Sequence, residues 1–242
     1  MTPSALFAVL PYAALAAFGA AIAIRYLLAW KRMDAGSEPA PPGTREAFRG
    51  GPLWRAGVAL LFLGHLLGVV LPRGVLAWNV SPARLYLLEG LAFASGVAAL
   101  LGWTRLVWRH LGRTGSLAAE LAETAFLSLL GLALASGLMT AVFHRWGSSW
   151  GVMTLTPYAW SLLRGRPLTD LASQLPYLVH LHVAAALAAL AVAPWTRLGA
   201  FLVVALHRVF QALGRPVGTL GAAVEAWFRR RNPAAWIWPD ED

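Results

Sequence analysis

Five long apolar stretches alternate with short polar or Pro- and Gly-rich joints, near residues 4–30, 54–72, 84–105, 120–144 and 174–206. A helix needs roughly 20 apolar residues to cross a hydrocarbon core of about 30 Å. It also satisfies its own backbone hydrogen bonds, which lipid cannot do for it. The pattern therefore predicts an all-α, polytopic membrane bundle of five transmembrane helices. The first joint, "DAGSEPAPPGTREAFRGG", reads as irregular chain. The segment 145–173 carries Trp146, Trp150, Tyr158 and Trp160, rings suited to a short element at the membrane interface. Beyond the fifth span, "VGTLGAAVEAWFRRR" has the makings of a basic amphipathic helix on the membrane surface. Trp236, Ile237 and Trp238 follow outside any span and suit docking to a partner. The expected division is a five-helix domain over 1–210 and a cytoplasmic tail over 211–242. The first span is too long, and its start not basic enough, for a cleavable signal peptide.

Charge gives the bundle a direction. Of the 20 basic residues, five (Arg73, Arg84, Arg145, Arg164 and Arg166) fall on the joints at one side. The other fifteen, from Arg25 and Lys31 to the run Arg229–Arg231, fall on the other side. The positive-inside rule then predicts N-out, C-in. In a soluble protein a net charge of +9 would suggest nucleic acid. In a chain that is 58% hydrophobic, topology and contact with lipid account for it, and no nucleic-acid partner is expected. The chain contains no cysteine, which excludes thiolate-bound iron–sulfur clusters, thioether-attached haem and disulfides. Any metal must be held by His, Met or carboxylate.

Six histidines are available. His110 and His207 lie at inner helix ends beside arginines, where they are expected to face water or headgroups. His144 closes the outer end of the fourth span. His65 lies about two turns before the outer end of its helix, and His180 and His182 about two turns after the outer start of theirs. Antiparallel helices thus carry imidazoles at matching depth, and such a pair can clasp one flat cofactor from both faces. Gly64 and Gly68 around His65, and the alanines after His182, leave room for one. The competing reading is an interhelical hydrogen bond worth about 1 kcal/mol. Glu89 is the one acidic residue well inside a span, and Arg84 precedes it at the outer mouth of the same helix.

In order and topology, "PYAALAAFGAAIAIRYLLAW", "GHLLGVVLP", "ASGV" and "LHVAAALAALAVAPWTRL" resemble the gamma subunit of respiratory nitrate reductases over about residues 8–200. That family is a five-helix b-type cytochrome that oxidises membrane quinol. Pro194, Trp195, Thr196 and Arg197 match its Pro-Phe-(Ser/Thr)-Arg sequence. The resemblance implies two haems, each held by one His from the second span and one from the fifth. The outer pair falls on His65 and His182. His180 has no counterpart as a ligand and stands in reserve. The inner pair falls on Arg55 and Ala200, and neither a guanidinium nor a methyl has a lone pair to give. His207 lies about 37 Å beyond His182 on a straight helix, too far to substitute for the missing ligand.

One haem b is therefore expected, with quinol as substrate. Arg84 falls on the position of a basic residue that contacts quinone in the family. Glu89, outside the family pattern, is a candidate acceptor for quinol protons. The implied setting is a bacterial or archaeal cytoplasmic membrane. The implied partners are iron–sulfur and molybdenum-enzyme subunits, or a periplasmic c-type cytochrome if electrons leave outward. The alternatives are a cofactor-free membrane anchor, and a transporter that conducts protons through His65, Glu89 and His182.

Overall fold

A computed structural model describes residues 3–34, 51–112, 117–199 and 202–213. The described residues are helical, with no strand, and five of the helices are long and apolar enough to cross a membrane. In chain order the elements are α1 (Pro3–Asp34), α2 (Gly51–Val70), α3 (Pro72–Asn79), α4 (Pro82–Leu111), α5 (Leu117–Phe143), α6 (Gly147–Leu163), α7 (Thr169–Ser173) and α8 (Tyr177–Val192). A 3-10 turn (Ala193–Trp195) follows, and then helical residues 197–199 and 202–213. Most of the first joint, Ala200 and the docking tail lie outside the described residues.

Helix α2 packs on α4, α4 on α5, α5 on α8, and α8 on α1, which makes a curved row. Small residues set the closest approaches. A Cβ on Gly57 would sit 2.5 Å from the backbone nitrogen of Ala99, and one on Gly102 would sit 2.6 Å from the Cα of Trp54. The α2 and α4 backbones therefore touch along Gly57, Ser95, Ala99 and Gly102, a stripe of the kind that drives helix pairing in lipid. Ala185 and Ala189 form a similar buried stripe on α8. On α1 the described buried positions are Phe7, Pro11, Ala14 and Ala21, on one face at three-, four- and seven-residue spacing, while Val9, Leu15, Leu27 and Leu28 point outward.

Three features differ from the sequence expectation. The fifth span is not one helix through residue 206. Pro194 has no N–H to donate and breaks α8 into the 3-10 turn. Arg25 donates to the carbonyls of Pro194 and Thr196 (the latter at 3.1 Å), and Thr196 accepts from the Leu198 N–H at 3.2 Å, capping the next helical segment. Arg25 is therefore a half-buried clamp on that break rather than a flanking loop charge. The third difference is α6, a 17-residue helix rather than a short interfacial element. It ties the ends of α1 and α2 together: Tyr158 donates to the Phe7 carbonyl at 2.7 Å, Thr156 to that of Gly68 at 2.9 Å and Trp160 to that of Val69 at 3.0 Å.

Candidate functional site

His65 on α2 and His182 on α8 face each other across the bundle, with ring centroids 6.1 Å apart and planes inclined by 26°. Their helices pack mainly on other neighbours, so the approach is made by the side chains. Nδ1 of His65 lies 2.7 Å from the carbonyl oxygen of Leu61, one turn back on the same helix. Nδ1 of His182 lies 2.8 Å from the carbonyl oxygen of Ala133 on α5. A carbonyl only accepts, so each Nδ1 carries the proton and each Nε2 keeps its lone pair. In metal-binding histidines a backbone carbonyl commonly holds one ring nitrogen and leaves the other to the metal.

The pair fits a haem iron. A ligating imidazole nitrogen lies about 2 Å from its metal and the ring centre roughly 1 Å further, so two rings on opposite sides of one iron stand about 6 Å apart. Among the described residues there is no group of three or more His, Cys, Asp or Glu that could hold a metal ion. A haem iron needs only two axial side chains.

His180 points elsewhere. Its Nε2 donates to the carbonyl of Ala172 at 2.9 Å and its ring lies 5.0 Å from that of Phe7, so it joins α8 to α7 and α1. A residue that sequence reasoning missed is Gly137 on α5: a Cβ there would come within 2.9 Å of the His182 ring. Ala133, Ser136 and Gly137, spaced i, i+3, i+4, form the α5 face that receives His182, and their small size was the available signal. A Cβ on Gly64 would meet nothing within 4 Å. Gly68 faces α6, with Val152 as the neighbour a Cβ would touch at 3.5 Å.

Arg84 and Glu89 both lie toward the His65 end but are separately engaged. Arg84 is exposed, its guanidinium 5.4 Å from the centre of the Trp78 ring, and Trp78 donates back to the Arg84 carbonyl at 3.1 Å. The Glu89 carboxylate accepts from the Ser148 N–H at 2.8 Å and from its hydroxyl at 2.6 Å. It thereby places negative charge at the start of α6, where the helix dipole favours it. Asn79 donates to the hydroxyls of Ser148 and Ser149 at 3.0 Å and draws α3 into the same cluster.

Among the described residues, the opposite end of the bundle shows no such pair. Arg55 is exposed near the start of α2. His207 is buried rather than facing water or headgroups, with Nδ1 3.4 Å from the Tyr26 hydroxyl and Nε2 3.0 Å from the Gln211 amide. His110 is half-buried and bonded to Thr124 at 2.7 Å.

No curated protein matches the chain. A family model described as nitrate reductase gamma subunit matches residues 3–213, a span that contains the whole described structure. Five helices long and apolar enough to cross a membrane agree with that match, and the chain belongs to the nitrate reductase gamma subunit family.

Proposed function

We propose that this chain is the cytochrome b subunit of a nitrate reductase-type complex that oxidises quinol, and that it holds a single haem b between His65 and His182. The observation that carries the reading is the facing pair of imidazoles, each with Nδ1 tied to a carbonyl and Nε2 available. When bound, haem supplies one-electron redox chemistry. The protein's part is to fix the two rings, through Leu61 and Ala133, and to hold small residues such as Gly137 beside them.

With the N-terminus outside, as the distribution of arginines favours, the His65 end is the outer one. Quinol approaches there. Arg84, a permanent cation, holds a quinol oxygen and favours its deprotonation. Glu89 is the nearest acidic group on the same helix and takes up the released proton. Its tie to Ser148 makes that transfer also a loosening of the α6 start. Electrons then pass to partner subunits, of which iron–sulfur and molybdenum-bearing proteins are the expected ones and a periplasmic c-type cytochrome the alternative.

The single-haem reading rests on the other end. Arg55 offers no lone pair. Both ring nitrogens of His207 are already hydrogen-bonded, so it does not stand in for a lost ligand. The test is spectroscopic: purified protein should show a reducible b-type band that His182→Ala abolishes. Colourless wild-type protein would favour a cofactor-free anchor instead.

A further inference from the structure

Between α4 and α5 runs a half-open crevice of about 700 Å³ that the histidine pair does not use. It follows the stripe Glu120, Thr124, Gly131 and Ala135 on α5, about 22 Å of helix, and is faced by Trp103 and His110 on α4. One end is polar. The Thr124 hydroxyl donates to the Glu120 carbonyl at 2.8 Å, so its oxygen accepts from His110 Nε2–H at 2.7 Å. With that proton on Nε2, Nδ1 is the ring atom left to accept from a ligand. Beside it, the Glu120 Oε1 atom is buried with no hydrogen-bond partner. A buried acceptor left unmet costs about 1–3 kcal/mol, more when charged, so this end of the crevice calls for a donor. The rest is apolar and aromatic, with Trp103 laid over Gly131.

We propose that this crevice is a second binding site, at the end of the bundle opposite His65, for a quinol-class molecule. Its ring hydroxyls donate to Glu120 and His110, its ring lies toward Trp103, and its tail runs along α5. The volume suits a ring with a short stretch of tail, being within the usual range of small-molecule sites. A phosphate headgroup is disfavoured because Glu120 would face it as a like charge. The site is separate from the proposed outer one and needs neither Arg84 nor the haem ligands.

The test uses the holoprotein in nanodiscs with a short-tailed azido-quinone, reduced to the quinol, as photolabel, followed by peptide mapping. Label should map to 103–111 and 120–135, be displaced by unlabelled quinol, and persist in Arg84→Ala. Glu120→Ala should lower it roughly tenfold or more, the scale of one lost charged hydrogen bond. His110→Gln keeps a donor for Thr124 but removes Nδ1, and should lower it while leaving folding intact. Label confined to peptides near Trp78 and Arg84 overturns this site and leaves the proposed function standing. Crevice labelling unchanged in both variants also overturns it. So does displacement by phosphatidylethanolamine but not by quinol, which would make the occupant an ammonium-headed lipid.

Discussion

The two ends of this bundle are built from similar helices but treat histidine in opposite ways. At one end, His65 and His182 each spend one ring nitrogen on a backbone carbonyl and keep the other available. At the other, His207 spends both on side chains, and Arg55 offers no lone pair. A histidine in a membrane helix is thus ambiguous until the partner of each nitrogen is known. On the proposed reading, a carbonyl on Nδ1 with Nε2 left over suits a ligand, whereas two side-chain partners suit a packing joint.

The largest expected effect breaks the comparison outright. His65→Ala or His182→Ala should remove the b-type spectrum, while His180→Ala and His207→Ala should each retain it. Reduced-minus-oxidised spectra of the four variants make the check, and haem loss in His207→Ala would erase the distinction between the two ends. Next in size is Gly137→Leu. Even a Cβ at this position presses on the His182 ring, so haem content should fall several-fold. Haem-to-protein ratios after purification would show this.

Smaller effects concern the quinol end. Arg84→Ala should slow haem reduction by quinol roughly tenfold or more, the scale of a charged hydrogen bond of about 1.5–3 kcal/mol, with dithionite reduction unchanged. Stopped-flow traces with both reductants separate the two. Glu89→Gln should slow the quinol step to a lesser degree. It should also destabilise the start of α6, by about 0.5–2 kcal/mol if the contact to Ser148 acts as an ordinary N-terminal cap. Thermal unfolding followed by haem release tests that part.

Hydropathy made the five helices legible, because lipid-facing positions such as Leu27, Leu28 and Phe62 remain apolar and exposed in the fold. Depth matching brought His65 and His182 into view, since helix rise alone sets their level. It did not separate His182 from His180, two residues apart on the same helix. That separation depends on Ala172 and Ala133, carbonyls with no signature in a sequence. Charge counting places Arg25 with the loop charges because it ignores the carbonyls of Pro194 and Thr196, which the helix break leaves open to its guanidinium. Glu89 follows Arg84 on the same helix, yet the start of α6, distant in sequence, supplies its partner in Ser148. The misplacement of His207 has the same origin: neighbouring arginines suggested water, but Tyr26 and Gln211 enclose it.

The most direct test of the account is the haem stoichiometry of the purified wild-type chain, from pyridine haemochrome absorbance against amino-acid analysis. One bis-histidine site between His65 and His182 predicts a ratio near one. A ratio near two would mean that a second haem is held where Arg55 and His207 give it no ligand, and a ratio near zero would leave the facing histidines as a packing contact.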